Sequence, residues 1–296
     1  MAGLAYLNGV FLSADEAKIS PFDRGFLFAD GVYEVTCVYA GQPIDMQRHL
    51  DRLERSLKEL GYTVLPDRKE VEAAHRKLIA ENKITEGFVY TQVTRGSYGG
   101  RDFPAPDKDK TRLTVFLFAE PKALLDVPAA RNGIRIMSHP DIRWGRRDIK
   151  SVGLLAPVLA KTEAKHRGLD DAWLIAPDGK VTEAASANAW IVTKEGEIIT
   201  RQLGNEILAG ITRHALFDAL AQQGKKITER AFTVEEALAA AEAFNTSAVA
   251  LVAPVVEVDG HKIGSGAPGP VTRMIQRLYY QALGADVAKD APWTKE

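Results

Sequence analysis

One lysine follows a short basic segment near the middle of the chain. Lys150 is preceded by three arginines, all within the run Asp141-Ile142-Arg143-Trp144-Gly145-Arg146-Arg147-Asp148-Ile149-Lys150-Ser151. Nearby positive charge favours the neutral amine of a lysine, and a neutral amine is a nucleophile that can form a Schiff base with a carbonyl compound. The competing interpretation is a solvated basic loop, because most lysines lie at the surface.

A carboxylate followed by small side chains forms a second candidate segment. Glu183 lies in the run Val181-Thr182-Glu183-Ala184-Ala185-Ser186-Ala187-Asn188. Small side chains let a flat ligand approach the backbone closely, and a carboxylate beside such a ligand could keep a ring nitrogen protonated. The alternative is a charged residue at a strand end before a tight turn, because exposed carboxylates are the rule.

Two further patterns could bind a phosphate group. Gly210 precedes a predicted helix, so the first backbone N–H groups, those of Ile211 and Thr212, are available to an anion together with the Thr212 hydroxyl. The alternative is an ordinary helix start, because glycine is common there. Arg52 lies beside Leu53 on a predicted amphipathic helix. It could equally be a surface arginine whose aliphatic stem covers the core.

Strands and helices alternate irregularly along the first half. Leucines at positions 50, 53, 57 and 60 follow Met46 at steps of three and four, which predicts an amphipathic helix. A second helix is predicted over 67–82 with Asp67 as its N-cap. Residues rich in β-branched and aromatic side chains predict strands. These strands cover residues 5–12, 31–39, 88–95 and 112–119.

The second half repeats this mixture with more hairpins. Strands are predicted over 133–138, 171–176, 180–182, 188–193 and 197–200, and a hairpin over 255–263 around Asp259-Gly260. Helices are predicted over 154–167, 211–223 and 271–283, followed by a loose tail at 290–296. The irregular order excludes a simple doubly wound sheet. The chain also lacks a Gly-x-Gly-x-x-Gly helix start and a Walker loop.

The length and composition indicate two globular domains. A chain of 296 residues is too long for one average domain. Two prolines within residues 120–131 predict an interdomain linker, which divides a small N-terminal domain (1–119) from a larger C-terminal domain (132–296). The predicted fold class is α/β in the broad sense, an α+β mixture.

Charge and cysteine content exclude several classes of function. The 38 basic and 39 acidic residues nearly cancel, which argues against general binding to nucleic acid or to a membrane surface. One cysteine allows no intrachain disulfide, and no Cys/His spacing predicts a metal site. We expect no signal peptide and no membrane span, because no apolar run approaches about 20 residues. A cytoplasmic protein is the simplest expectation.

Taken together, the segments resemble the fold-type-IV enzymes that depend on pyridoxal 5'-phosphate (PLP), above all the D-amino-acid aminotransferases. The resemblance covers nearly the whole chain, and it rests on the order of the segments. The matching segments are residues 23–35, His49-Leu50-Asp51-Arg52-Leu53, Val93-Thr94-Arg95-Gly96, Asp141-Ile142-Arg143-Trp144, Asp148-Ile149-Lys150-Ser151, Thr182-Glu183 with Ser186 and Asn188, and residues 208–213.

The resemblance implies a role in cofactor binding for several residues. Lys150 would bind PLP covalently, and Glu183 would pair with the pyridine nitrogen. Arg52 would hold the phosphate, together with the backbone of Ile211 and Thr212 and a hydroxyl from Thr246-Ser247, which we assign to Ser247. The family often has more hydroxyls after this pair, whereas here Ala248-Val249 follow.

The resemblance also implies a substrate site, with one departure from the family pattern. Tyr33 would help to hold the substrate carboxylate. Related D-alanine enzymes carry an Arg-x-His pair in the loop after Val-Thr-Arg-Gly, whereas this loop reads Ser97-Tyr98-Gly99-Gly100-Arg101-Asp102-Phe103, with an arginine but no histidine. Arg101 is therefore the candidate for carboxylate binding, and a solvated loop arginine beside Asp102 is the alternative.

The activity implied is transfer of an amino group from a D-amino acid such as D-alanine to a 2-oxo acid such as 2-oxoglutarate, in a homodimer. The implied fold has a small α/β sandwich domain and a larger pseudo-barrel domain. Branched-chain L-amino-acid aminotransferases, (R)-amine transaminases and aminodeoxychorismate lyases share this fold and remain alternatives. The Asp148-Ile149-Lys150-Ser151 and Asp30-Gly31-Val32-Tyr33-Glu34 segments favour the D-amino-acid branch. A more distant alternative is a non-catalytic protein that binds a phosphorylated ligand.

Overall fold

The computed structural model describes residues 3–107 and 111–295. The chain forms two compact units, the first from Met1–Ala123 with Ile149–Gly153 and the second from Leu124–Asp148 with Leu154–Glu296. The division after Ala123 falls within the predicted linker at 120–131. The grouping of Ile149–Gly153 with the first unit differs from the expected division, because this segment pairs with a strand of that unit.

The first unit consists of one six-stranded antiparallel sheet and its helices. Its strands are β1 (Leu4–Leu7), β2 (Val10–Ser13), β3 (Gly31–Tyr39), β4 (Gln42–Pro43), β5 (Glu86–Thr94) and β6 (Thr114–Pro121), and its α-helices are α1 (Arg24–Phe28), α2 (Met46–Glu59) and α3 (Arg68–Glu81). The order in the sheet is β2-β1-β6-β5-β3-β4. A 3-10 helix covers Ala14–Glu16.

The two faces of this sheet differ in character because successive strand residues point to opposite sides. One face is covered by α2 and α3, whose leucines pack with strand valines such as Val32, Val38 and Val89. The other face carries a row of half-buried aromatic side chains. These are Tyr33, Phe88, Tyr90, Phe116 and Phe118, with ring centroids of neighbouring members 5.1–6.3 Å apart.

The single strand predicted at 5–12 is wrong, because the chain reverses inside it. Asn8 and Gly9 both have positive φ, 49° and 91°, and join β1 to β2 as a two-residue hairpin. Asn-Gly is the strongest short hairpin signal, since both residues tolerate this conformation. The helix α1, which was not predicted, begins after Asp23, whose side chain accepts a hydrogen bond from the Gly25 N–H.

The second unit consists of one nine-stranded mixed sheet with helices. The strands are β7 (Ile134–Pro140), β8 (Asp171–Ile175), β9 (Val181–Ala184), β10 (Asn188–Val192), β11 (Ile198–Thr200), β12 (Ile227–Glu229), β13 (Glu242–Ser247), β14 (Leu251–Val258) and β15 (His261–Lys262). The α-helices are α4 (Pro128–Asn132), α5 (Leu155–His166), α6 (Ile211–Gln222), α7 (Val234–Ala239), α8 (Pro270–Ala282) and α9 (Val287–Asp290).

The sheet of the second unit closes on itself. Its strand order is β12-β11-β10-β13-β14-β7-β8-β9, with β15 paired to β14. The two ends of this path meet, because Lys180, just before β9, bridges to Thr233, and the Val181 N–H donates to the Phe232 carbonyl at 2.9 Å. The result is the barrel-like sheet that the resemblance implies for this part of the chain.

Residues 224–254 contain three elements that the sequence did not predict, namely β12, α7 and β13. Strand β13 lacks an apolar pattern because polar residues lie buried within it. Asn245 and Thr246 accept hydrogen bonds from the indole N–H groups of Trp173 and Trp190, at 2.8 and 2.9 Å. Burial of these polar groups is therefore compensated, and the strand forms without a hydrophobic run.

The C-terminal segment is ordered, so the loose tail predicted at 290–296 is wrong for residues 290–295; Glu296 lies outside the described residues. A 3-10 helix covers Pro292–Lys295, and Thr294 is fully buried. Trp293 packs edge-on against Tyr280 of α8, with ring centroids 6.3 Å apart. Among the described residues, no helix has the length and apolar character needed to cross a bilayer.

Candidate active site

Lys150 is held against the start of β3 in the first unit. Its carbonyl accepts a hydrogen bond from the Tyr33 N–H at 3.0 Å, and the next residue, Ser151, bridges to Val32. The Lys150 Nζ lies 4.2 Å from the centroid of the Tyr33 ring. The strand pairing therefore brings together the predicted cofactor lysine and the predicted substrate tyrosine, and the cation rests on the face of the phenol ring.

Arg52 lies in a buried cluster where β3 meets α2. Its guanidinium donates two hydrogen bonds to Glu34, both at 2.8 Å, and His49 Nδ1 lies 2.7 Å from the same carboxylate. The Arg52 and Glu34 side chains are only 8% and 3% exposed. Burial opposes ionisation of Glu34, but the charge and hydrogen bonds of Arg52 outweigh it and hold the pKa of Glu34 low.

Arg101 lies on a loop that Arg24 anchors. The buried Arg24 guanidinium donates to three successive loop carbonyls, those of Asp102, Phe103 and Pro104, at 2.6–3.3 Å. Its Nε pairs with Asp30 at 2.7 Å. Arg101 itself is exposed, and its guanidinium carbon lies 4.9 Å from the Phe103 ring centroid and 5.2 Å from that of Phe28.

Glu183 is a buried carboxylate of β9 with several hydrogen-bond donors. Arg143 Nη1 donates to its Oε1 at 2.5 Å, and Asn188 Nδ2 donates to its Oε2 at 3.0 Å. The Leu208 N–H donates to the same Oε2 at 3.2 Å. A cation and two neutral donors therefore stabilise the charged form of Glu183 and hold the side chain in one orientation.

Asn188 connects Glu183 to the start of α6. Its Nδ2 also donates to the Leu208 carbonyl at 2.9 Å, two residues before Gly210. A Cβ on Gly210 would lie 2.1 Å from Asn188 Oδ1, so the close approach requires glycine. Glycine has no side chain to cap the helix, which leaves the first N–H groups, at Ile211 and Thr212, to other acceptors. The second unit thus brings Glu183 and the predicted phosphate site together.

Ser247 ends β13 beside this region. Strand pairing places Asn188 opposite Thr246, the neighbour of Ser247. The Ser247 Oγ accepts a hydrogen bond from the Ala250 N–H at 3.1 Å, and this contact stabilises the turn into β14. The hydroxyl proton of Ser247 can still be donated to an anion, because a hydroxyl is both donor and acceptor.

The three arginines before Lys150 are paired with carboxylates. Arg146 forms a two-pronged contact with Asp148, with both distances 2.9 Å. Arg143 contacts Asp141 and Glu183, and Arg147 Nε lies 3.2 Å from Asp141. The positive charge that the sequence suggested as an influence on the lysine is therefore largely neutralised by neighbouring carboxylates.

Three contact residues went unrecognised in the sequence as parts of the candidate site: Arg143, Asn188 and Glu34. Each lies in a segment that carries the resemblance, but its partner is distant in the chain or across a turn. Arg143 and Glu183 are 40 positions apart, and Arg52 and Glu34 are 18 apart. The two-residue spacing of Asp141 and Arg143 is a local signal that could have indicated the first pair.

Comparison with known proteins agrees with this description. The family model described as amino-transferase class IV matches residues 31–258. The D-alanine aminotransferase of Bacillus licheniformis is 35% identical over 288 residues, which cover 95% of this chain and 98% of the relative. That of Staphylococcus haemolyticus is 38% identical over 277 residues, which cover 92% and 94% of the two chains.

Solved structures extend the comparison to the fold. The branched-chain amino acid aminotransferase of Escherichia coli superposes with a TM-score of 0.86 at 26% sequence identity, over 95% of this chain and 94% of that one. A second branched-chain amino acid aminotransferase, from T.th., was solved with pyridoxamine 5'-phosphate. It superposes with a TM-score of 0.85 at 25% identity, over 96% of this chain and 94% of that one.

These matches together show the family of this chain. The family model covers well over half of the residues, and the two D-alanine aminotransferases match the chain nearly end to end. The strand order and the buried carboxylate of β9 lie within the matched region. The chain therefore belongs to the amino-transferase class IV family.

Proposed function

We propose that this protein is a PLP-dependent D-amino-acid aminotransferase, which moves the amino group of a D-amino acid such as D-alanine to a 2-oxo acid such as 2-oxoglutarate. The observation that carries the proposal is the identity of 35% and 38% to two D-alanine aminotransferases over more than 90% of each chain. The branched-chain alternative has weaker support, since the two branched-chain structures are 26% and 25% identical.

The chemistry of the donors fits PLP. The uncapped start of α6 suits a phosphate group, because the first N–H groups and the helix dipole favour an anion. Glu183 is a buried carboxylate that suits a protonated ring nitrogen, and Lys150 supplies an amine for a Schiff base. A solved relative of the same fold holds the closely related pyridoxamine 5'-phosphate.

We assign the binding tasks as the resemblance implies. Ile211 and Thr212 would bind the phosphate through their backbone N–H groups, with Ser247 and Arg52 as further donors. Arg52 already donates to Glu34, so that carboxylate would orient it. Glu183 would hold a proton on the ring nitrogen. When bound, PLP supplies an electron sink for the carbanion that forms at the substrate Cα.

Lys150 and two further side chains would act on the substrate. The neutral amine of Lys150 would remove the proton from the substrate Cα, as a general base. The phenol of Tyr33 would donate a hydrogen bond to the substrate carboxylate. The planar guanidinium of Arg101 suits the same carboxylate, because it can donate two parallel hydrogen bonds. We further propose a cytoplasmic homodimer, on the resemblance alone.

A donor screen tests the proposed reaction. The protein, supplied with PLP, is incubated with D- and L-enantiomers of alanine, glutamate, aspartate and leucine and with 2-oxoglutarate, and the glutamate formed is analysed on a chiral column. We expect D-glutamate from the D-donors. Formation of L-glutamate from L-leucine would favour the branched-chain alternative, and no turnover with any donor would contradict the proposal.

Borohydride labelling tests the assignment of Lys150. Reduction of the PLP-loaded protein should fix the cofactor to the peptide that contains Lys150, because a Schiff base is reducible. The variant Lys150→Ala should lose the label and lose turnover by orders of magnitude. Lys161→Ala, which changes a surface lysine of α5, is the matched control and should keep both. A label on another lysine would contradict the assignment.

A further inference from the structure

Glu183 is the last member of a row of three charged side chains. The Arg143 guanidinium uses Nε and Nη2 for Asp141, at 2.9 and 2.8 Å, and Nη1 for Glu183, at 2.5 Å. The Asp141 side chain is completely buried, and those of Arg143 and Glu183 are 12% and 7% exposed. Charges at such positions interact more strongly than at the surface, because solvent screens them less.

The charges around this row can be accounted for element by element. The segment after β7 contributes Asp141, Arg143 and Arg147, and Arg147 Nε lies 3.2 Å from Asp141. Thr182 of β9 donates its hydroxyl to Asp141 at 2.7 Å. The contacts from β10 and from the segment before α6 are neutral donors, the Asn188 amide and the Leu208 N–H.

We propose that Arg143 and Asp141 act as a pair of opposed charges that sets the proton affinity of Glu183, and thereby of the ring nitrogen that Glu183 holds. Arg143 lowers this affinity, and Asp141 limits the effect by taking up the other nitrogens of the guanidinium. The extension to the ring nitrogen rests on the proposed function. Arg143 and Asp141 are thus positioning residues, which act through Glu183.

The electrostatic directions support this assignment. Burial disfavours the charged form of Asp141, but the hydrogen bonds and charge of Arg143 outweigh it and hold the pKa of Asp141 low. Burial likewise disfavours charge on Arg143, but Asp141 and Glu183 together raise the pKa of Arg143. Arg143 therefore keeps its charge, and its influence on Glu183 depends on how much of it Asp141 neutralises.

Two substitutions should move the proton affinity of Glu183 in opposite directions. Asp141→Asn removes a negative charge, so the proton affinity of Glu183 should fall. Arg143→Gln removes a positive charge, so it should rise. A purely structural role would give the same direction in both variants, because each change would only loosen the side chain. The sign of the two shifts therefore separates tuning from scaffolding.

The first experiment needs no cofactor. Carboxyl-¹³C-labelled glutamate is incorporated into the full chain without PLP, the Glu183 signal is assigned by its absence in Glu183→Gln, and its titration is followed by NMR. We expect the Glu183 pKa to shift by about one unit or more, roughly tenfold in proton affinity, up in Arg143→Gln and down in Asp141→Asn. Shifts of the same sign, or no shift, would overturn the proposal.

Two controls guard against unfolding and against general charge effects. Asp178→Asn makes the same charge change on a surface turn of the same unit, where Asp178 pairs with Lys180, and should leave the Glu183 titration unchanged. If Arg143→Gln loses its far-UV circular dichroism spectrum, Arg143→Lys and the double variant Asp141→Asn/Arg143→Gln replace it. Arg143→Lys and the double variant should both titrate near the wild-type value, and a large shift in the double variant would contradict the pairing of charges.

The second experiment uses PLP labelled with ¹⁵N in the ring. In the loaded protein, the pKa of the ring nitrogen should follow the Glu183 shifts, up in Arg143→Gln and down in Asp141→Asn. Failure of the wild-type protein to bind PLP would contradict the proposed function and leave the ¹³C result to decide the tuning. PLP binding with ring-nitrogen titrations that do not respond to either variant would overturn the inference while leaving the function intact.

Discussion

Replacing Arg52 by alanine should destabilise the first unit even before cofactor is added. In the folded protein Glu34 is a buried carboxylate whose charge is balanced by the two hydrogen bonds from Arg52, and His49 is its other close partner. Removal of Arg52 leaves that charge buried beside His49. Breaking one partner of a buried ion pair costs about 3–5 kcal/mol of unfolding free energy.

The pH dependence of this loss follows from the Glu34 titration. In the wild type the pKa of Glu34 is held low, so its ionisation stabilises the fold above its unfolded pKa of about 4.3, and this stabilisation disappears as the pH falls below it. Without Arg52, burial dominates and raises the pKa of Glu34 above the unfolded value. The penalty in Arg52→Ala should therefore be largest near pH 7.5 and shrink towards pH 4.

Urea unfolding of the cofactor-free protein measures the effect by circular dichroism. Arg76→Ala, which breaks a surface pair with Glu72 on α3, is the matched control and should cost less than about 0.5 kcal/mol. Adding Glu34→Gln to Arg52→Ala should restore up to about 3 kcal/mol, because the double variant buries no unpaired charge. A loss below about 1 kcal/mol, or one that is equal at pH 7.5 and pH 4.5, would refute the reasoning.

Four other predictions concern catalysis, acid stability and assembly. Glu183→Gln should retain the wild-type circular dichroism spectrum but lose most transamination, and wild-type rates would make Glu183 structural. Arg101→Ala should raise KM strongly for D-amino acids but little for primary amines, which have no carboxylate; unchanged D-alanine kinetics would rule this out. Burial lowers the pKa of His75 from 6.5 to about 4, so the wild type should lose roughly 3 kcal/mol as the pH falls across that range, and urea unfolding at several pH values should show a flatter profile in His75→Gln. Sedimentation at assay concentrations should show a dimer, and an active monomer would contradict it.

Local sequence patterns predicted much of the first unit correctly. The leucine spacing of α2 and the Asp67 cap of α3 give helices within one residue of the expected bounds. Strand β3 covers the predicted residues 31–39. These elements could be predicted because hydrophobic periodicity and capping act between residues a few positions apart.

Other elements could not be predicted, because their stability comes from distant partners. Strand β13 has no apolar pattern, and the indole groups of Trp173 and Trp190 satisfy its buried polar side chains. The C-terminal segment likewise has no periodic pattern, yet Trp293 anchors it on α8 through Tyr280. Long-range packing of this kind leaves no periodic signal in the segment itself.

The candidate site divides in the same way. The sequence by itself determined which segments carry chemistry, since the order of motifs around Arg52, Lys150 and Glu183 was enough to recognise the family. Only the tertiary structure decided which charges meet: Arg52 with Glu34 through the packing of α2 on β3, and Arg143 with Glu183 across 40 residues. Side-chain types are local, whereas the electrostatic environment that tunes them depends on how distant segments pack together.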